Sequence, residues 1–260
     1  MKKFLFFCFL YSNALLIKAQ DPDLFQKKVF KDGSDSMPYR ILLPLQYDVA
    51  KNYPLIFFLH GSGERGNNNI AQLTHGANLF LTDSLRERYP AIVVFPQCPA
   101  NSSWSSMGYR IDSLGHSSII YSGGKKPTLA MKLAQLLLSE IIRRYPVNLK
   151  KIYVGGLSMG GMGTFEMVQR NPGLFAAAFP ICGGGDLQSA SKMIGVNWWV
   201  FHGADDDVVP AELSVKMVQA LKKAGANVKF SLYPGVKHNS WDNAFAEPGL
   251  LPWLFSNQKK

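Results

Sequence analysis

Lys151-Ile152-Tyr153-Val154-Gly155-Gly156-Leu157-Ser158-Met159-Gly160-Gly161-Met162-Gly163-Thr164-Phe165 joins two regular patterns through a glycine-rich turn. Ile152 to Val154 is a short β-branched and aromatic run, suited to a parallel strand buried on both faces. From Thr164 the chain reads Thr-Phe-Glu-Met-Val-Gln-Arg, which suits a helix. Between them, Gly156 to Gly160 reads G-x-S-x-G. So abrupt a strand-to-helix turn crowds the residue at its apex. Glycines two before and two after remove the Cβ atoms that would clash. The turn would lift the Ser158 hydroxyl above the sheet, over the free N–H groups of the next helix. The pentapeptide alone equally fits an ordinary strand-helix connection, so a catalytic Ser158 needs partners from elsewhere.

The pattern around this stretch predicts an α/β fold. Upstream, residues 25–30 and 37–43 read as the arms of a hairpin around Lys31-Asp32-Gly33-Ser34. Tyr53 to Leu59 and Ala91 to Phe95 are continuous apolar runs, as buried strands require. Residues 70–88 carry helical spacing, and 128–145 are a helix with a threonine start and Arg143-Arg144 in the last turn. Residues 96–127 read as a long irregular stretch, of the kind that in a compact domain is usually functional. Downstream, strands are expected at 175–181, 197–201 and 228–233, with helices at 213–223 and 241–245. Two strands followed by repeated strand-helix pairs predict one mostly parallel sheet, helices on both faces, and an N-terminal antiparallel hairpin.

The N-terminus reads Met1-Lys2-Lys3, then almost wholly apolar from Phe4 to Ile17, then Lys18-Ala19-Gln20. A basic start, an apolar core and a small residue describe a secretory signal peptide over residues 1–20. The apolar core is short of the roughly 20 residues a membrane span needs. The expectation is a single domain over 21–260, secreted or periplasmic, with no stable membrane insertion after cleavage. Net charge is +10, but the basic residues fall in scattered pairs without interleaved aromatics, which argues against a nucleic-acid partner. No H-x-x-x-H or C-x-x-C pair and no phosphate loop is present, so no metal or cofactor is implied.

A serine nucleophile needs a base within hydrogen-bond reach and a carboxylate to orient that base. Five histidines compete. His60 and His202 each end a buried strand and read as braces for the loops that follow. His75 and His116 read as surface or loop residues. His238 follows the last strand at its carboxyl end, where the reactive groups of such sheets gather, and is the favoured base. The acid belongs after the preceding strand, where Asp205-Asp206-Asp207 offers three carboxylates; Asp186, one strand earlier, is a rival.

Taken together, these residues resemble the α/β-hydrolase esterases, the group of poly-hydroxybutyrate depolymerase-like, feruloyl and acetyl-xylan esterases and phospholipase/carboxylesterases. The resemblance spans roughly residues 37–255. It is carried by Leu59-His-Gly-Ser-Gly-Glu-Arg-Gly66, Pro96-Gln-Cys-Pro99 with Trp104, Gly156 to Gly160, Phe201-His-Gly-Ala-Asp-Asp-Asp-Val-Val-Pro210 and His238-Asn-Ser-Trp241. It implies nucleophile, acid and histidine in the order Ser158, Asp206, His238, with Asp206 at the acid position of the H-G-x-x-D-x-V-V-P pattern. The oxyanion donors would be the amides of Met159 and, by resemblance, Ser62, with Gly63 as its neighbour. Glu64 and Arg65 would pair locally. Trp104 and Trp241 would either line the acyl or alcohol pocket or cap the core. The family's usual sheet order separates Cys98 from Cys182, which implies two free, buried thiols. The activity implied is hydrolysis of a small carboxylic ester, such as an acetyl or feruloyl group on polysaccharide. A serine peptidase and a non-catalytic carbohydrate-binding protein on the same fold are the alternatives.

Overall fold

Residues 21–111, 117–121 and 126–259 are described by a computed structural model. Residues 1–20, where a signal peptide is expected, and His116 lie outside these residues. The hairpin at the start consists of β1 (Gln26–Asp32) and β2 (Asp35–Leu42), joined by Gly33-Ser34 with Gly33 at φ +59°. Then follow β3 (Tyr53–Leu59), the short helices α1 (Ala77–Leu81) and α2 (Asp83–Arg88), and β4 (Ile92–Pro96). A second hairpin, β5 (Met107–Ile111) with β6 (Ser117–Tyr121), precedes α3 (Leu129–Arg144) and β7 (Val147–Leu157). The rest alternates: α4 (Met159–Arg170), β8 (Ala177–Ile181), β9 (Asn197–Gly203), α5 (Glu212–Lys223), β10 (Val228–Tyr233), α6 (Trp241–Ala246) and α7 (Leu250–Ser256).

Eight strands form one sheet in the order β1-β2-β4-β3-β7-β8-β9-β10. The β1/β2 and β2/β4 pairings are antiparallel and the other five parallel, which is the predicted architecture. β3 shows how the sequence achieves this. Leu55, Phe57 and Leu59 point into one core with α3, α4 and α5; Ile56 and Phe58 point into the other with α1, α6 and α7. A strand covered on both sides must be apolar at every register, which is why it reads as an unbroken run. α3 forms where its signals place it: Thr128 Oγ1 caps the Met131 N–H at 3.0 Å, and Arg143 and Arg144 complement the last turn.

Three expectations change. Residues 70–88 do not form one helix, because Gly76 stands at φ +83° and Thr82 is extended, leaving a 3-10 turn and two short helices. Gly76 is forced: a Cβ there would collide with the Phe245 ring. The stretch 96–127 is not wholly irregular, since it carries the β5–β6 hairpin. The C-terminus adds α7, whose Pro252 is accommodated in the first turn, where a missing N–H costs nothing.

β4 and β8 lie three positions apart in the sheet, about 14 Å at the usual strand spacing. Cys98 and Cys182 are accordingly free, and both are buried. Among the described residues no helix is long and apolar enough to cross a membrane. The decisive topological feature is that β3 and β7 are neighbours while the chain leaves them in opposite directions, to β4 and to β8. A crevice opens at such a switch point, beyond the carboxyl ends of the strands.

Candidate active site

Ser158 sits at this crevice in a conformation that non-glycine residues rarely adopt, φ 54° and ψ −118°. Such backbone costs on the order of 1–3 kcal/mol and persists only where the surroundings enforce it. Here Ser158 N–H donates to Ile181 O of β8 at 2.9 Å, and the Ser158 carbonyl accepts from Met162 N–H at 3.0 Å. A Cβ on Gly156 would meet the Gly160 carbonyl, and one on Gly160 would meet the Leu59 carbonyl of β3. The two motif glycines thus let turn, helix and neighbouring strand close on each other. α4 begins at Met159, five residues before the Thr164 start that composition suggests. Gly161 and Gly163 lie inside it because it presses on Ile181 and on Trp104.

His238 and Asp206 converge on this turn. His238 Nε2 is 2.9 Å from Ser158 Oγ, and Nδ1 is 2.8 Å from Asp206 Oδ2. The Asp206 side chain is fully buried, and that of His238 is 19% exposed, enough to face a substrate. Asp206 Oδ1 accepts from the N–H groups of Val208 and Val209 at 2.9 and 2.8 Å, so the turn after β9 itself holds the carboxylate. The other carboxylates are placed elsewhere. Asp205 is exposed, Asp207 pairs with Lys237 at 2.9 Å, and Asp186 caps Gln188 N–H. Cys182, Asp206 and His238 offer ligand atoms within 4.8 Å of one another. Burial pushes the Cys182 thiol up to about 12, and Asp206 and His238 pair with each other at 2.8 Å.

Ser62 and Met159 line the same cleft as Ser158. Ser62 opens a 3-10 turn on the β3 loop; Gly63 is not part of the cleft wall. The loop is strapped down through backbone. His60, 2% exposed, donates from Nδ1 to Gly61 O at 2.6 Å and accepts at Nε2 from Cys98 N–H at 2.9 Å. Burial pushes its pKa down to about 4, so it is a neutral brace. Gln97 adds bonds to Glu64 O and Asn68 Oδ1 and accepts from Asn69 N–H. Glu64 and Arg65 take separate partners instead of pairing with each other: Glu64 faces His60 and His75 at 3.9 and 3.8 Å, and Arg65 Nε donates to Ser62 O at 2.9 Å.

The tryptophans divide. Trp104 is wholly buried, donates from Nε1 to His60 O at 3.0 Å and packs on α4 at Gly163. It belongs to the core beneath the loop and not to a pocket wall, because the indole N–H finds its partner inward. Trp241 stands edge-on to the His238 ring, centroids 5.4 Å apart at 84°, with His75 on its other side at 5.0 Å. It shelves the imidazole and is not among the residues lining the cleft. The cleft measures about 580 Å³, and its walls include Met107, Ile119, Met162, Val209 and Leu213. Met107 and Ile119 come from the second hairpin. That hairpin's base is held by Glu166 of α4, which accepts from Ser105 Oγ (2.9 Å) and Ser106 N–H (2.6 Å) and pairs with Arg170. Nothing in the sequence singled out Glu166; its only signal is the one acidic residue of a mostly apolar helix, with Arg170 four residues on.

The sequence matches the phospholipase/carboxylesterase family over residues 46–247. The chain belongs to this family. It is similar to a bifunctional acetylxylan esterase/xylanase of Neocallimastix patriciarum, 27% identical over 62% of this chain and 20% of that protein. It is also similar to lysophospholipase-like protein 1 of Mus musculus, 24% identical over 70% of this chain and 79% of that protein. Among solved structures, a thermostable esterase superposes with TM-score 0.82 at 33% identity, covering 91% of this chain and 64% of that one. A ferulic acid esterase from Anaeromyces mucronatus shares the fold at 14% identity and TM-score 0.61, over 87% of this chain and 89% of that one. The chain therefore spans about a fifth of the bifunctional enzyme and under two thirds of the thermostable esterase.

Proposed function

We propose that this family member is a serine esterase that cleaves small carboxylic esters through Ser158, His238 and Asp206. The observation that carries this reading is the continuous line Ser158 Oγ, His238, Asp206, with contacts of 2.9 and 2.8 Å at the sheet's switch point. His238 Nε2 takes the Ser158 proton as Oγ attacks the ester carbonyl. Nδ1–H stays on Asp206, which fixes the tautomer and stabilises the imidazolium that forms. The Met159 and Ser62 amides receive the oxyanion at the start of α4, where charge development is favoured. His238 then returns the proton to the leaving alcohol, and water attacks the acyl-enzyme by the same route.

The apolar wall of Met107, Ile119, Met162 and Leu213 suits an acyl or aryl group. Acetyl and feruloyl esters on polysaccharide are the first substrates to try, given the acetylxylan and ferulic acid esterases among the relatives. The basic and apolar start of the chain adds export as part of the proposal, testable by sequencing the N-terminus of the released protein. The test of the activity is hydrolysis across a panel from p-nitrophenyl acetate to feruloyl esters of sugars, by wild type and Ser158→Ala. A loss of several orders of magnitude in the variant is expected; equal rates would end the proposal.

A further inference from the structure

Asp206 holds more donors than a triad requires. Besides His238, a second imidazole reaches it: His202 Nε2 stands 3.1 Å from Asp206 Oδ2 and 2.9 Å from Val209 O. At the other edge of the ring, Nδ1 is 2.7 Å from Ser214 Oγ, which is 2.6 Å from Gly183 O. His202 and Ser214 are both fully buried.

Counting protons decides the state of the ring. The carbonyls of Val209 and Gly183 can only accept, so Nε2 must carry a proton. Ser214 then has one hydroxyl proton for two short contacts. Given to Gly183 O, it leaves the 2.7 Å contact to be made by a proton on Nδ1. Given to Nδ1, it leaves two oxygens 2.6 Å apart with nothing between them. Leaving a buried group unmatched is costly. Only an imidazolium satisfies every contact: Nε2–H to Val209 O and Asp206 Oδ2, Nδ1–H to Ser214 Oγ, and Ser214 O–H to Gly183 O.

Building on the reading of Asp206 as the triad acid, we propose that His202 is its positioning residue, held as an imidazolium at neutral pH, so that one carboxylate serves two histidines. Burial, the largest influence, holds the ring's pKa below the ordinary histidine value, with the Val209 carbonyl and the Asp206 carboxylate opposing it and His238 adding to it. The cation follows instead from the proton count of the four short contacts. The charged groups facing it are Asp206 and His238; Cys182, beside Asp206, is a neutral thiol. The surrounding elements contribute groups already engaged elsewhere. Glu212 pairs with Lys216 on α5, Asp207 with Lys237, Tyr233 with Glu247, Asn239 with Asp242 at α6, and Lys229 lies over Trp199. The His202 cation therefore pins Oδ2 and shares the carboxylate charge that would otherwise face His238 alone.

Two measurements on the full chain test this. In ¹⁵N-histidine-labelled protein at pH 7, His202 should give two ring N–H resonances, both lost in His202→Gln. In the pH profile of kcat/KM on a p-nitrophenyl ester, His202→Gln removes the cation outright. Ser214→Ala removes the acceptor that Nδ1–H needs while leaving Nε2–H on Asp206. Both should move the acid limb to higher pH, by about one unit, the scale of a neighbouring charge. A single His202 ring N–H, with the limb unmoved in both variants, would overturn the proposal. If His202→Gln does not fold, the wild-type spectrum and Ser214→Ala decide. If Ser158→Ala keeps its activity, the triad reading fails, and the ring protons alone still settle the state of His202.

Discussion

β3 runs out into His60-Gly61, and β9 ends in His202-Gly203. The two strand ends look alike in sequence, and both histidines read there as loop braces. In the folded chain His60 spends both ring nitrogens on backbone, at Gly61 O and Cys98 N–H, and so fixes the loop that presents Ser62. His202 spends one edge on Val209 O and Asp206 and the other on Ser214. One end shapes, through main chain, the loop that carries the proposed oxyanion donor; the other touches the proposed acid. A histidine at a strand end is thus defined by whether the following turn folds an acid back over it, as Asp206 does four residues after His202.

Breaking the β9 end should have the larger effect. Asp206→Asn retains an oxygen for the Val208 and Val209 N–H groups but places an amide against His238. kcat/KM on p-nitrophenyl acetate should fall about 10⁴-fold, the loss typical of a triad carboxylate made an amide. A drop of less than tenfold would remove Asp206 from the mechanism. The β3 end should be felt in stability instead. His60 titrates at about 4 in the fold against 6.5 unfolded, so between those values the unfolded chain binds a proton that the native chain does not. Its contribution is intact above pH 6.5 and is lost as pH falls toward 4, at about 1.4 kcal/mol per unit and roughly 3 kcal/mol across the window. Urea unfolding of wild type and His60→Asn at pH 7 and pH 4 should show a steeper acid loss in wild type. Parallel slopes would contradict the brace. Trp241→Leu removes the ring contacts on His238 and His75, the edge contact on His238 being worth about 1 kcal/mol. It should lower kcat about fivefold with KM unchanged; a selective rise in KM would return Trp241 to the substrate pocket.

Much of this was legible in the sequence, for physical reasons. The G-x-S-x-G turn is readable because only glycine survives contact with the Leu59 and Gly160 carbonyls. The parallel strands are readable because burial on both faces leaves no polar register. The hairpin at Met107 to Tyr121 was not readable, because its serines and glycine carry no clear alternation and its anchor, Glu166, lies on another element. The sequence leaves Trp104 open between pocket wall and core, because an aromatic in a long loop near the site gives no sign of which way its N–H turns. The division of labour between His60 and His202 depends on contacts made 38 and 12 residues away in the chain, beyond the reach of any local pattern.

The central claim is that Ser158 is a nucleophile activated by His238. Labelling with a fluorophosphonate ester tests it most directly, since the reagent needs no knowledge of the substrate. Intact mass and peptide mapping should find one adduct per chain, on Ser158, formed rapidly by wild type and abolished in Ser158→Ala and His238→Ala. Absence of an adduct, or one that persists undiminished in Ser158→Ala, would contradict the account.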